Sequence, residues 1–316
     1  MTRIKTSILP AAMFAGLAVA LLSSAASAKD IKSKTVNCSI PAQTLANALS
    51  STSSDTVDEI VFSGTCIEDL TITKDDVTLI GADGTAEIQG QIDIDGARRV
   101  SLRDFILTTA GDLGVVAFGG AAIKIDNVDI SGAADNNIFI RRNASAEVRN
   151  STIDAATVTN INVVNGGGLL IRDSSIENSG DTGINVSNGS FARIINTSVT
   201  DSVGSSVFVN TGSIARIHDA NLNTGLGVQE GGHVRIQNST LSDGNDVALA
   251  VGRGGTARLF GGGSVLTSGG SEVIRVVSHS MLEQSGGGTI RSLEISESKR
   301  TATPESMMPT SLGTSK

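Results

Sequence analysis

The sequence predicts an all-β protein in which short strands form about ten stacked coils of 23 residues each. Aliphatic residues recur every 23 positions through most of the chain, and such a repeat is typical of a solenoid. Within each unit, apolar and polar residues alternate with a period of two, which is the period of strands. The repeat positions are Leu79, Leu102, Ile125, Val148, Ile171, Ile194 and Ile217, followed after one 19-residue step by Ile236, Leu259 and Leu282.

Residues 1–28 have the composition of a secretory signal peptide. Arg3 and Lys5 supply a positive start, residues 8–22 are apolar, and an Ala-Ser-Ala cleavage motif precedes Lys29. The sequence therefore predicts a secreted protein, either periplasmic or extracellular. No second long apolar run follows, so no membrane span is expected in the mature chain.

Residues 29–57 lie outside the repeat and are predicted to form an N-terminal cap, which a stack of strands needs at its end. Within this segment, Leu45 and Leu49 follow Pro41 with the spacing of a short amphipathic helix. Export favours disulfides, so Cys38 and Cys66 are predicted to join the cap to the first coil. Two buried free thiols are the alternative.

Residues 58–295 form the predicted solenoid, and two polar columns define its turns. Eighteen positions after the repeat residue comes glycine or Asn143, which predicts a turn with positive φ. Two positions after the repeat residue comes Asn or Asp, which predicts a bend where side-chain amides bond from coil to coil. This bend column contains Asp104, Asn127, Asn150, Asp173, Asn196, Asp219 and Asn238. Residues 296–316 lose the pattern and are predicted to be a flexible tail.

The coil length, the asparagine-type column at a bend and the helical cap resemble the right-handed parallel β-helix of the pectate-lyase-like superfamily. This resemblance covers roughly residues 40–295. It implies the fold and its hand, and it brings polysaccharide lyases, hydrolases, esterases and epimerases into consideration. The motifs R-x-P-x-x-R of pectate lyases and D-P-H-[DE] of uronate epimerases are both missing from the sequence.

The nearly constant coil length leaves little chain to build a reaction cleft, because enzymes of this shape form their clefts from long inserted loops. The adjacent acids Asp75 and Asp76 resemble part of a polygalacturonase-like hydrolase motif, but a solvated turn is the favoured interpretation. We therefore predict no catalytic residue, no metal and no cofactor.

Basic residues flank the repeat position on both sides and are expected to share the outer face of one sheet. The formal net charge of −8 disfavours nucleic-acid binding driven by overall charge. The stripe is instead a candidate surface for an anionic polysaccharide or envelope partner. Edge protection and solubility, with Glu147 and Asp126 balancing the charge, are the alternative. The members of the stripe are Arg103, Lys124, Arg149, Arg172, Arg193, Arg216, Arg235 and Arg258.

A second outward group, a predicted contact patch, consists of Val116, Phe118, Phe139 and Arg141. The alternative is that this patch packs beneath the cap or the tail.

The sequence favours a secreted, non-catalytic β-helix protein that binds an anionic polysaccharide or an envelope protein along its surface. Two alternatives stay open. One is a polysaccharide lyase or glycoside hydrolase acting on a uronate-containing glycan, and the other is a structural component of a surface assembly. The catalytic groups of the enzyme alternative would lie among Arg149, Arg172, Arg193, Asp173 and Asp219.

Overall fold

Consecutive coils pair in parallel, and the repeat residues lie directly beside one another in neighbouring strands. In this computed structural model, Ile194 pairs with Ile171 on one side and with Ile217 on the other. The predicted register is confirmed from Leu79 to Leu259. The structure describes residues 29–52, 55–243, 247–260, 264–269, 273–277, 279–285 and 289–290. The predicted signal peptide and the predicted tail lie outside these residues.

The described part of the chain contains one short helix, α1 (Leu45–Ser50), and strands numbered here in chain order. The first strands are β1 (Asp30–Asn37), β2 (Thr56–Ser63), β3 (Thr65–Ile67), β4 (Leu70–Ile72), β5 (Val77–Gly81), β6 (Glu87–Gln89), β7 (Ile92–Asp95), β8 (Arg98–Thr108), β9 (Leu113–Phe118), β10 (Ala122–Ser131), β11 (Asn136–Ile140), β12 (Ser145–Arg149), β13 (Thr152–Asp154), β14 (Thr159–Val163) and β15 (Gly168–Arg172). The later strands are β16 (Ser175–Glu177), β17 (Thr182–Val186), β18 (Phe191–Ile195), β19 (Ser198–Val199), β20 (Ser205–Val209), β21 (Ile214–His218), β22 (Asn221–Leu222), β23 (Leu226–Val228), β24 (His233–Gln237), β25 (Thr240–Asp243), β26 (Leu249–Val251), β27 (Thr256–Phe260), β28 (Val265–Ser268), β29 (Ile274–Val276), β30 (Met281–Ser285) and β31 (Thr289–Ile290).

These strands form three columns along the axis of the solenoid. The first column is β1, β2, β5, β8, β10, β12, β15, β18, β21, β24, β27 and β30. The second column is β3, β6, β8, β10, β13, β16, β19, β22, β25, β28 and β31. Among the described residues, the first and second columns make one 21-stranded sheet, because β8 and β10 continue from one column into the other. Within the described part of the chain, the third column is a 10-stranded sheet of β4, β7, β9, β11, β14, β17, β20, β23, β26 and β29.

The core is a stack of aliphatic side chains contributed by all three columns. In one coil, Ile125, Ile130, Ile138 and Ile140 are each at most 1% exposed. Burial of such a side chain is worth about 1.5–3 kcal/mol. A single coil obtains this burial only when another coil is stacked on it, which is why the repeat length is so constant.

Both predicted turns have the backbone conformation that their side chains favour. The bend column, which joins the first column to the second, has φ between 45° and 61° at all seven positions. Its amides bond from coil to coil: Asn127 Nδ2 donates to Asp104 Oδ1 at 2.9 Å, and Asn196 Nδ2 donates to Asp173 Oδ1 at 2.7 Å. The glycine-type turn also has positive φ, between 62° and 80°, at Gly120, Asn143, Gly166, Gly189 and Gly212.

A buried asparagine pair reinforces a turn that the sequence analysis missed. Asn137 and Asn160 are both fully buried, and Asn137 Nδ2 donates to Asn160 Oδ1 at 2.8 Å. The Asn160 Oδ1 atom also accepts from the amide of Ala156 at 3.1 Å. The signal that could have revealed the pair is the recurrence of asparagine at one position in successive 23-residue coils.

Between Leu79 and Gln284, two steps of the first column differ from 23 residues. The short step between Ile217 and Ile236 is confirmed. The prediction that Leu282 follows Leu259 in the repeat is wrong, because Leu282 pairs with Ala257 and Gln284 pairs with Leu259. Two additional residues enter between Phe260 and Val265, where the sequence is rich in glycine, and they shift the register of the following strand.

The N-terminal segment combines a strand and a helix. Strand β1 pairs along its whole length with β2, so it adds a rung at the start of the first column. Helix α1 lies within the predicted cap and contains the two predicted leucines, Leu45 and Leu49, which are both buried. The Thr44 side chain caps the helix by accepting from the Asn47 amide at 3.1 Å. The helix thereby covers core residues at this end of the stack.

Side chains from the first coil and from strand β1 hold the two ends of this helix. Glu68 accepts hydrogen bonds from the amides of Leu45 at 2.7 Å and Ala46 at 2.9 Å, which are otherwise unpaired at a helix start. Lys34 donates to the last-turn carbonyl of Ala48 at 3.0 Å. The predicted disulfide between Cys38 and Cys66 is present, with the two Cα atoms 5.0 Å apart.

Asp76 is buried, which differs from the solvated turn predicted for Asp75 and Asp76. Its carboxylate forms ion pairs with Arg99 and, at 2.6 Å, with Lys29. The hydrogen bond from Arg99 lowers the pKa of Asp76 well below the usual aspartate value. The turn therefore belongs to an ion-paired cluster at the first coils.

Candidate functional site

The outer face of the first column carries a row of arginines in register. Arg193 on β18 pairs with Arg216 on β21, and the row continues through Arg235 on β24 to Arg258 on β27. All four side chains are exposed. Because neighbouring strands lie about 4.8 Å apart, these four residues, here called the arginine column, place one positive charge on each rung.

The other members of the predicted stripe lie on the same face but are not in one row. Lys124 is in the row of the arginine column, separated from Arg193 by Glu147 and Leu170. Arg103, Arg149 and Arg172 lie in a second row on the other side of the buried repeat residue. The predicted shared face is therefore present as two parallel rows.

Carboxylates neutralise most of the stripe outside the centre of the arginine column. The ion pairs are Arg103 with Asp104 at 3.7 Å, Lys124 with Asp126 at 2.8 Å, Arg172 with Glu147 at 3.7 Å, Arg149 with Glu147, and Arg258 with Glu283 at 2.8 Å. The hydrogen bond from Lys124 lowers the pKa of Asp126. The expected charge balance by Glu147 and Asp126 is thus confirmed for this part of the stripe.

Arg193, Arg216 and Arg235 differ, because no carboxylate of the described residues lies within salt-bridge distance of them. Aromatic rings contact two of the three guanidinium groups. The Arg216 guanidinium is 5.9 Å from the Phe191 ring centroid, and the Arg235 guanidinium is 4.0 Å from the Phe260 centroid. Such contacts orient a guanidinium without removing its charge.

Apolar side chains that the sequence analysis missed lie beside the arginine column. Phe191 is 38% exposed and Ile214 is 45% exposed, and the two are partners on neighbouring strands. Both lie three positions before the repeat residue, and this shared position is the signal that could have revealed them. The face therefore presents an apolar edge next to a row of cations.

A shallow trough of about 570 Å³ precedes the arginine column on the same face. Ala122, Ser145 and Gly168 are lined up on three successive strands and form part of its lining. Leu170 and Phe191 lie at the end of the trough nearest Arg193. Small side chains at three successive rungs make the face concave here, and the concavity leads toward the arginine column.

A second open groove, of about 800 Å³, follows the bend column. Apart from Ala220, its lining consists of Asn, Asp, Ser and Thr. At its border His218 Nδ1 contacts Asp219 Oδ2 at 2.6 Å. Of the groups named for the enzyme alternative, Asp173 accepts from Asn196, whereas Arg149 and Arg172 contact Glu147. Among the described residues, four of the five candidate catalytic groups therefore have polar side-chain partners, and Arg193 does not.

The predicted contact patch lies on the other sheet, in the third column. The Arg141 guanidinium is 5.1 Å from the Phe139 ring centroid and 5.3 Å from the Phe118 centroid. Val116 is only 1% exposed, so the prediction that it forms part of an exposed surface is wrong. Neighbouring side chains cover this small residue, and the accessible patch consists of Phe118, Phe139 and Arg141.

Within the described residues, no helix has the length and apolar character needed to cross a membrane. A cluster that could hold a metal was found at Cys38, Cys66 and Glu68, but there the two sulfurs are joined in the disulfide and Glu68 caps helix α1. These residues therefore have structural partners already.

Comparison with known families gives a match over residues 90–255 to the family described as right handed beta helix region. No curated protein sequence matches the chain. Among solved structures, the A-module of the mannuronan C-5 epimerase AlgE4 from Azotobacter vinelandii superposes with a TM-score of 0.58 at 12% identity. That superposition covers 81% of this chain and 95% of the module.

Two further solved structures are more distant. ORF18 of Geobacillus virus E2 has a TM-score of 0.49 at 9% identity, covering 75% of this chain and 51% of that one. An alginate lyase from Paenibacillus sp. str. FPU-7 has a TM-score of 0.30 at 11% identity, covering 85% of this chain and 99% of the lyase. At this level of identity the similarity to the epimerase module shows a shared fold.

Proposed function

Because the chain belongs to the right-handed β-helix family, we propose that it is a secreted, non-catalytic protein that binds an anionic polysaccharide along the arginine column. The family match covers the coils that carry Arg103 to Arg235. The epimerase module of the same fold is named for mannuronan, a polysaccharide. This relationship supports a polysaccharide as the partner, and the site chemistry supports an anionic one.

The observation that carries the proposal is the row formed by Arg193, Arg216 and Arg235. Two like charges about 4 Å apart repel each other by about 1 kcal/mol in bulk water, so the row is unfavourable for the isolated protein. Edge protection does not account for it, because β18, β21 and β24 each pair with strands on both sides. An external anion relieves this repulsion.

The spacing of the row suits an extended polymer. One cation per rung, repeated about every 4.8 Å, is comparable with the length of one sugar residue in an extended polysaccharide. A guanidinium binds a carboxylate through two parallel hydrogen bonds, which fits a uronate on each sugar. The exposed Phe191 and Ile214 beside the row offer apolar surface to the C–H groups of a sugar ring.

Calorimetric titration with a polyuronate at low and at physiological salt tests this proposal. Replacing Arg193, Arg216 and Arg235 together with glutamine is expected to weaken binding by about 3- to 150-fold, since exposed charge pairs contribute about 0.2–1 kcal/mol each. The salt dependence should also become shallower, by about one counterion per arginine removed. A neutral glucan should show no comparable binding.

The matched control replaces Arg103, Arg149 and Arg172 with glutamine, which removes the same charge from the neutralised row of the same face. This control is expected to bind the polyuronate nearly as well as the wild type. Equal losses in both triple variants would contradict a specific role for the arginine column. Release of unsaturated uronates or new reducing ends from the polymer would instead support the enzyme alternative.

A further inference from the structure

The third column carries a second arginine in an unusual setting, on a different sheet from the arginine column. Arg141 directly follows β11, and its guanidinium lies near two aromatic rings, 5.1 Å from the Phe139 centroid and 5.3 Å from the Phe118 centroid. Val116, buried at 1% exposure, is the strand partner of Phe139 on β9. The cation therefore sits against apolar groups.

The guanidinium of Arg141 forms no hydrogen bond with the described residues. Its Nε atom is buried and has no hydrogen-bond partner, and no carboxylate of the described residues lies within salt-bridge distance. Aromatic rings remove water from a guanidinium but do not accept its in-plane N–H bonds in the way that an oxygen does. The buried Nε atom lies on the protein side of the guanidinium, and the two Nη groups are the donors that an external acceptor can reach.

Two neighbouring residues add to the attraction for an anion. Arg142 is exposed at the adjoining turn, with φ of 53°, and contributes a second positive charge close by. On the next rung Asn162, the partner of Phe139, accepts from Asn185 through its Oδ1 atom at 2.8 Å. This bond leaves the Asn162 Nδ2 group as a donor without a partner among the described residues.

We propose that Arg141, Phe118 and Phe139 form a receptor for one carboxylate group, separate from the arginine column. The carboxylate accepts two parallel N–H bonds from the guanidinium, and the rings hold the guanidinium in place. Val164 and Phe118, on the rungs next to Arg141, carry no charge, so the site takes a single anionic group and not a row of them.

Nuclear magnetic resonance of the arginine Nε–Hε groups, with free glucuronate as the probe, tests the receptor. Glucuronate is expected to shift the Arg141 signal, which is assigned by its loss in Arg141→Lys, and the methyl ester of glucuronate is expected not to shift it. Arg141→Lys keeps the charge but loses the paired donors, so its affinity should fall about tenfold. N-acetylglutamate as a second probe distinguishes an acidic peptide group from a sugar acid.

Arg142→Gln removes the second positive charge and should weaken glucuronate binding by at most about fivefold, which is less than the loss expected for Arg141→Lys. The triple glutamine variant of the arginine column should leave glucuronate binding at Arg141 unchanged, so failure here and failure of the proposed polymer binding are distinguishable. Equal binding of the acid and its ester, or wild-type affinity of Arg141→Lys, would overturn the receptor.

Discussion

At the scale of single residues, the sequence predicted those features that depend on position along the chain. The bend column is present because Asn and Asp tolerate the positive φ of that turn. The Cys38–Cys66 disulfide is present because both cysteines lie at the same end of the stack. The sequence did not separate paired from unpaired arginines. That distinction depends on which residue the neighbouring coil places alongside, as Glu147 does for Arg149 and Arg172.

Asp76 gives a residue-scale prediction about stability and pH. Replacing Asp76 with asparagine keeps a side chain that tolerates the φ of 63° but removes the charge paired with Arg99 and Lys29. Because hydrogen bonds to charged groups contribute about 1.5–3 kcal/mol, the variant should lose about 1–3 kcal/mol at pH 7. Urea denaturation measures this loss.

The pH dependence of that loss follows from the lowered pKa of Asp76. A carboxylate with a depressed folded-state pKa stabilises the protein fully above its unfolded pKa of about 3.9, and this stabilisation is lost as the pH falls through the folded-state pKa. The difference in free energy of unfolding between the wild type and Asp76→Asn should therefore become smaller below about pH 4. Asp75→Asn is the control and should lower the free energy of unfolding by less than about 1 kcal/mol. If the difference between the wild type and Asp76→Asn did not change with pH, the charged Asp76 carboxylate would not be its source.

At the scale of elements, the N-terminal cap shows how a solenoid closes one end. Helix α1 is only six residues long, and so short a helix is marginal on its own in water. Contacts from Glu68 and Lys34 satisfy its two ends, and the disulfide ties the preceding segment to β3. The sequence predicted the helix from leucine spacing, but it did not predict β1, because the strand lies before the first repeat position.

Removing the disulfide should destabilise this cap. The bond spans a sequence separation of 28, and closing a loop of this length contributes about 2–4 kcal/mol. The variant with Cys38→Ser and Cys66→Ser should therefore lose about this much, and amide hydrogen exchange should rise first in β1 and α1. A uniform rise in exchange over all coils would instead indicate that the bond stabilises the whole stack and not only its end.

At the scale of the whole molecule, the architecture was predictable because each coil repeats the same strands, bends and core positions. Register, bends and core position follow from a 23-residue spacing, and the register is confirmed across nine repeat positions from Leu79 to Leu259. The prediction for Leu282 is wrong because two additional residues in a glycine-rich stretch have no aliphatic pattern to mark them. The concave trough was not predicted, because it depends on small residues that lie side by side on neighbouring coils.

Export is a prediction for the whole chain. The disulfide is consistent with an oxidising compartment, and the predicted cleavage site lies immediately before Lys29, whose side chain contacts Asp76 in the folded structure. N-terminal sequencing of the chain recovered from a secreting bacterial host should therefore begin at Lys29, in the periplasmic or medium fraction. A full-length chain retained in the cytoplasm would contradict this prediction.

The rung-by-rung register has an evolutionary consequence. Each strand of the first column supplies one outward side chain to the row that contains Arg193 and Arg216. Duplication or deletion of one complete coil would thus leave the interior intact while lengthening or shortening the row by one cation. Duplication or deletion of whole coils would therefore raise or lower the affinity for a long anionic polymer in steps, while the shape of each coil stays the same.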